Sequence, residues 1–228
     1  MEQALSPYVE LKGITKTFGT VVANKDVNFS VNKGEVHAIL GENGSGKSTL
    51  MNMLSGIYSP DSGEILVEGE PLHISSPIDA IRSGIGMIHQ HFKLVEAFTA
   101  LENIVLGRVN TFLFKPRKLK EDVKAICERY TLKCDLDQRV YSMPVSQKQT
   151  VEIVKVLYGG AKLLILDEPT AVLTPQEIRN LFEILRNMRN EGCAIVIITH
   201  KLNEVMEISD RITVLRKGQS IATVNTAE

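Results

Sequence analysis

The chain has 228 residues, enough for one large domain with a sizeable buried core, which excludes a miniprotein held together by disulfides. Hydrophobic residues make up 43% and charged residues 23%, the balance of an ordinary folded protein and far from a disordered or collagen-like chain. Its 26 Lys and Arg against 27 Asp and Glu leave a formal charge of -1, so there is no overall positive field to hold a nucleic-acid backbone, and no nucleic-acid partner is expected.

The N-terminus, Met1 to Pro7, has no basic segment followed by an apolar stretch, so it does not read as a signal peptide. No run approaches the ~18 apolar residues that would span a bilayer. A role at a membrane would therefore require docking on another protein. Tyr8 to Lys12 and Val27 to Val31 read as short strands of a small antiparallel piece, joined in that role by Glu64 to Glu68 and Ile212 to Leu215. Val36 to Leu40 is an apolar run ending in a glycine-rich segment. A helix follows it, with Leu50, Met51 and Leu54 on one face.

Met87 and Ile88 close another short apolar run, followed by His89 and Gln90. Thr99-Ala100-Leu101-Glu102 is a capping box, and Leu119, Val123, Ile126, Cys127 and Tyr130 recur at helical spacing. These place a helical insertion at about 95 to 155, with Asp135 to Ser146 as the loop that returns the chain to the main sheet. Leu163 to Leu166 and Ala194 to Ile198 suit central parallel strands buried on both faces. Between them, Thr174-Pro175-Gln176-Glu177 marks a helix start with Thr as N-cap and Pro at the first helical position. The fold class is thus α/β, with strand-helix-strand crossovers right-handed by default. Cys127, Cys134 and Cys193 show no C-x-x-C spacing and read as reduced thiols of a cytosolic protein.

Gly41-Glu42-Asn43-Gly44-Ser45-Gly46-Lys47-Ser48 fits G-x-x-x-x-G-K-[ST] and lies between a strand and a helix, where its mechanism requires it. Such glycines let successive backbone N–H groups turn inward and cradle phosphate oxygens at the positive end of a helix. Lys47 then places a charge on the β- and γ-phosphates, and the Ser48 hydroxyl can ligate Mg²⁺. Asp167 and Glu168 end an apolar strand at the edge where α/β sheets place ligands. Asp167 can hold Mg²⁺ through water, and Glu168 can polarise a water for in-line attack on a γ-phosphate. His200 closes the next strand and, taken alone, reads more often as a satisfied surface residue than as a γ-phosphate contact. Gln90 could offer its amide oxygen to Mg²⁺ or be an ordinary loop residue. Phe18 suits an adenine platform and, equally, a packed edge aromatic.

The order Phe18, 41 to 48, Gln90, helical insertion, Asp167-Glu168-Pro169-Thr170, His200 resembles the ATP-binding cassette (ABC) ATPases over essentially the whole chain. The resemblance implies a single nucleotide-binding domain over 1 to 228, with a P-loop NTPase core, a small antiparallel β subdomain and the helical insertion. It implies ATP and Mg²⁺ as cofactors, Phe18 as the adenine-stacking residue, Gly41 to Thr49 as the phosphate loop, Gln90, Ser48 and Asp167 toward the metal, and Glu168, His200 and Lys47 as catalytic. His89-Gln90-His91-Phe92, Val151-Glu152-Ile153 and Asp167 to Thr174 look like the first cassette of importers for simple sugars or nucleosides, where two cassettes usually lie in tandem.

That resemblance in turn implies an ATPase on the cytoplasmic face of the cell membrane, peripheral to a permease and served indirectly by a substrate-binding protein. It would pair head to tail with a second cassette, and Phe112, Leu113 and Phe114 are candidate permease contacts. A soluble ABC protein is the alternative, although basic linkers and coiled-coil insertions are missing. A small-molecule kinase would not carry the Gln90 and His200 series, and a regulatory clamp finds support only in the signature. There Met143-Pro144-Val145-Ser146 stands where the importer variant has Leu-Ser-Val-Gly. Pro144 thus replaces a serine and Ser146 a glycine, while Thr174 takes the place of the usual aspartate of the D-loop.

Overall fold

A computed structural model describes residues 7–107 and 116–226. Two sheets organise them. The smaller is antiparallel, in the order β2 (Val21–Val31), β1 (Val9–Phe18), β4 (Ser62–Val67), β5 (Glu70–Pro71). The larger has six strands in the order β10 (Gln219–Asn225), β9 (Arg211–Arg216), β3 (Val36–Leu40), β8 (Ala194–Thr199), β7 (Leu163–Asp167), β6 (Ile85–Ile88). All its pairings are parallel except the β9–β10 hairpin. The α/β class and the small antiparallel piece are as the sequence implies.

The central strands read as unbroken apolar runs because both faces of the sheet are covered. Alternate residues serve different cores, as the period of two demands. Leu164, Leu166, Ile195 and Ile197 face α5 (Val145–Tyr158) and α6 (Pro175–Asn190), packing with Val151, Leu181 and Phe182. Leu163, Ile165, Val196 and Ile198 point the other way, to α1 (Lys47–Leu54) and the antiparallel sheet, where they meet Leu50, Met51, Val9 and Leu11.

Two expectations are corrected. Ile212 to Leu215 lies not in the antiparallel piece but in β9, hydrogen-bonded in parallel to β3. Thr213, the polar residue of that run, is fully buried, its hydroxyl satisfied by His37 Nε2 at 2.7 Å and by Thr223 Oγ1 at 2.8 Å. The two N-terminal strands are also longer than their apolar cores, since the polar Thr15-Lys16-Thr17 stretch continues the β1–β2 ladder to Phe18 opposite Val21.

Between β6 and β7 the described chain is helical: α3 (Ala100–Val105), α4 (Pro116–Arg129), one 3-10 turn at Val140–Ser142, then α5. A short α2 (Pro77–Arg82) precedes β6, and α7 (Leu202–Ile208) follows β8. Both capping boxes form, Thr99 with Glu102 on α3 and Thr174 with Glu177 on α6. Phe112, Leu113 and Phe114 lie outside the described residues. No helix among the described residues is long and apolar enough to cross a membrane.

Candidate functional site

Because β3, β7 and β8 are parallel neighbours, their carboxyl ends open on one edge, with Leu40 opposite Thr199 and Asp167 opposite Ile198. The segment Gly41 to Ser48 crosses that edge and feeds α1, whose N-cap is Gly46 at φ 98°. Only glycine fits there: a Cβ would collide with the Ala23 carbonyl and the Asn24 amide. Asn24 Nδ2 donates to the Gly46 carbonyl at 3.3 Å, and the Gly218 N–H donates to the Ser45 carbonyl at 3.0 Å. The loop is thus gripped between β2 and the β9–β10 turn.

Lys47 is buried, and its ammonium donates to the carbonyls of Gly41 at 2.7 Å and Glu42 at 2.9 Å. Burial pulls its pKa below the usual lysine range, while the charges of Glu168 and Asp167 pull the other way. Ser48 Oγ donates to Asp167 Oδ1 at 3.4 Å. Burial raises the Asp167 pKa, and the neighbouring Glu168 charge adds to the rise against the Ser48 hydrogen bond and Lys47.

Glu168 adopts φ 48°, a left-handed conformation that costs a non-glycine residue of order 1–3 kcal/mol and persists where surroundings over-determine it. Its Oε1 lies 2.9 Å from His200 Nδ1, and its Oε2 is buried without a partner. Lys47, Ser48, Thr49, Asp167, Glu168 and the exposed Gln90 line one cleft, with Asn43, Gly44 and Gly46 along its loop side. Gly41, Glu42 and Ser45 line an adjoining cavity together with His200.

Phe18 is not in the cleft wall. Its cross-strand partner Val21 is, and its half-exposed ring meets Tyr58 edge to face at 5.1 Å between centroids. Lys16 Nζ sits 5.6 Å from the same ring. Phe18 therefore has packing partners and a partly exposed ring, next to the cleft-lining Val21 across the β1–β2 ladder.

The hydroxyl of Ser48 and the carboxylate of Asp167 are hard oxygen donors, with the unpartnered Glu168 Oε2 close by, a set that fits Mg²⁺. Among the described residues no three His, Cys, Asp or Glu side chains cluster into a self-sufficient metal cage. A cation carried in on nucleotide phosphates does not need one.

The segment Met143-Pro144-Val145-Ser146 lines no part of this cleft. Pro144 is the N-cap of α5 and offers no side-chain cap, while the nearby Ser146 hydroxyl is the first cause of the lowered pKa of Glu177. Thr174 is committed to capping α6. Asn24 and Tyr58 escape sequence reasoning: one sits inside a strand pattern and the other follows a helix, with no local signal that either would reach the site.

Residues 24–171, more than half of the chain, match the family described as ABC transporter. The chain is 50% identical over 222 residues to the nucleoside import ATP-binding protein NupA of Lactococcus lactis subsp. cremoris (strain MG1363), covering 96% of this chain and 44% of that protein. It is 49% identical over 228 residues to the guanosine import ATP-binding protein NupO of Bacillus subtilis (strain 168), covering 96% and 44%. The chain thus spans less than half the length of these curated relatives. Among solved structures, the ADP conformation of MJ1267, an ATP-binding cassette of an ABC transporter, superposes with a TM-score of 0.88 at 28% identity, covering 96% of this chain and 91% of that one.

Proposed function

The chain belongs to the ABC transporter family, and from that premise we propose that it is the ATP-hydrolysing cassette of a membrane importer for nucleosides or simple sugars. The observation that carries the catalytic part is the single cleft joining Lys47 and Ser48 of the phosphate loop to Asp167, Glu168 and Gln90. The likeness to NupA and NupO supports the solute class, as their names concern nucleoside and guanosine import.

In this reading the inward N–H groups of Gly41 to Thr49 bind the phosphates, with Lys47 as the compact charge on the β- and γ-groups. Phe18 offers its partly exposed ring to adenine. When Mg²⁺ is bound with the nucleotide it neutralises phosphate charge, and Ser48, Asp167 and Gln90 are the side chains that would hold it. Glu168 orients a water in line with the γ-phosphorus and accepts its proton. His200, hydrogen-bonded to Glu168, steadies that carboxylate and contacts the γ-phosphate.

The signature segment lines no part of the cleft, which supports head-to-tail pairing with a second cassette that would supply the missing donors. A groove beside Gln90, lined by Ile57, Ile81, Met87, His89, Lys93 and Lys155, offers a permease an apolar floor with a basic rim. The cassette would then lie peripherally on the cytoplasmic face of the membrane. ATP-driven uptake of radiolabelled nucleosides and pentoses by membrane vesicles containing the native-length protein and its permease tests the reading. Uptake of neither class, with ATP hydrolysed normally, would refute the solute assignment.

A further inference from the structure

Glu168 and His200 leave the sheet on different strands, and the β7–β8 pairing ends beneath them, its last link the Glu168 N–H donating to the Ile198 carbonyl at 2.9 Å. Just beyond, Lys201 reaches across the gap. Its ammonium donates to the Thr170 carbonyl at 3.2 Å, the Thr170 hydroxyl at 3.1 Å and Glu204 Oε1 at 3.0 Å, which uses all three of its protons. The Thr170 hydroxyl donates in turn to Glu204 Oε2. Thr170 is almost fully buried and Lys201 half-buried, so water competes poorly for these contacts. On the other side of the same loop, buried Gln149 of α5 donates to the Pro169 carbonyl at 3.0 Å.

We infer that Lys201, Thr170 and Glu204 form a staple that fixes the Glu168 carboxylate against the His200 ring, which makes Lys201 and Thr170 positioning residues for ATP hydrolysis. Lys201 adjoins His200 in sequence, and Thr170 stands two residues after Glu168, so the staple closes over the pair it serves. Glu168 keeps a strained φ of 48°, and the tie through Thr170, with the tie from Gln149, is what prevents the loop from relaxing. Misplacing a reacting group by about 1 Å can cost on the order of 10²-fold in rate. If the staple only fastened α7 to the sheet, its loss would change stability and leave the balance of binding and turnover alone.

The inference rests on the reading of Glu168 as the catalytic carboxylate, so Glu168→Gln runs in the same experiment. The variants are Lys201→Met, Thr170→Val, which removes the hydroxyl at nearly constant volume, and Thr170→Ser, which keeps it. kcat and KM for Mg-ATP are measured on the native-length protein in membranes, with nucleotide affinity measured separately by a fluorescent ATP analogue. Lys201→Met and Thr170→Val should lower kcat about tenfold or more with KM unchanged within about twofold, and Thr170→Ser should lose less than Thr170→Val. Should Lys201→Met fail to fold, the Thr170 pair carries the decision. Parent-like kcat in both lesions beside an inactive Glu168→Gln overturns the staple and leaves the site reading standing. A fall in nucleotide affinity that matches the fall in kcat also overturns it, in favour of a structural role. Parent-like turnover by Glu168→Gln instead removes the catalytic reading itself.

Discussion

His200 Nδ1 lies 2.9 Å from Glu168 Oε1, while Glu168 Oε2 is buried with no protein partner. One carboxylate oxygen is thus committed to holding the group in place and the other is free to act. In the proposed reaction the free oxygen is the one that would take a proton from water. Glu168→Gln should therefore keep nucleotide binding and lower turnover by at least about 10²-fold. Lys47→Ala removes a buried ammonium from the loop carbonyls and the phosphate site, and should weaken Mg-ATP binding about tenfold or more. Titration of both variants with a fluorescent ATP analogue, alongside phosphate-release assays, separates the two roles. Equal binding defects in both would contradict the division of labour.

Much of this arrangement was legible from residue order. Val36 to Leu40 ends where the glycines begin, and strand β3 has those same bounds, because the run is apolar apart from His37, whose ring is paired inside the core, and glycine cannot sustain it. Lys47, Ser48, Asp167 and Glu168 meet because parallel strands bring their carboxyl ends together, which the apolar runs alone predict. What was illegible depends on distant pairing. Thr213 is buried because His37 and Thr223 supply its hydrogen bonds from other strands. Asn24 reaches Gly46 and Lys201 reaches Thr170 only after the chain has closed over 22 and 31 intervening steps. No local period encodes such contacts.

The phosphate loop offers a stability test. Gly46 and Gly44 both have positive φ, 98° and 79°, but an added Cβ at Gly46 meets the Ala23 carbonyl and Asn24, whereas at Gly44 nothing lies within 4 Å. Gly44→Ala should carry the backbone penalty alone, about 1 kcal/mol, and Gly46→Ala distinctly more, because the loop must also move off β2. Urea midpoints of the two variants check the order. Equal midpoints would show that the loop relaxes away from Ala23 without strain.

Stability should also depend on pH through His37. Its ring is fully buried beside Phe29, with Nε2 bonded to Thr213 and Nδ1 2.9 Å from Glu35 Oε1, out of hydrogen-bond alignment. Burial lowers its pKa, helped by Arg211 and opposed by Glu35. The unfolded chain, with an ordinary histidine near about 6.5, then binds more protons than the folded one below that pH, so stability falls as pH drops from about 7 toward 5. The Glu35 carboxyl is shifted down, and its contribution is lost only at lower pH, below about 4.3. His89 is also lowered by burial and contributes in the same window as His37, in parent and variant alike. Replacing His37→Gln should make the fall in melting temperature between pH 7 and 5 shallower. An unchanged slope would mean that His37 is not the proton acceptor in that range.

The last prediction concerns the segment at the start of α5. Pro144 stands where the family's importer variant has a serine, and proline supplies neither a hydroxyl nor an N–H. Two nearby hydroxyls are the candidates to replace it. Ser142 Oγ is engaged, donating to the Arg139 carbonyl at 2.8 Å while accepting from Gln138 at 3.3 Å, and Ser146 lies near enough to the Glu177 carboxylate to help lower its pKa. A second ATP site capped by this segment would therefore lack a preorganised donor, a loss worth about 2.7–4 kcal/mol or roughly 10²- to 10³-fold in rate. The site built on Lys47, Ser48, Asp167 and Glu168 should turn over when the paired cassette brings an intact signature, which leaves one working and one slow site. Pro144→Ser combined with Ser146→Gly restores the missing hydroxyl and the glycine of the importer variant. In the assembled transporter at saturating ATP the double variant should hydrolyse measurably faster than the parent. Trapping with a phosphate mimic should then fill two sites per assembly where the parent fills one, and an unchanged stoichiometry and rate would show that the segment caps its site as it stands.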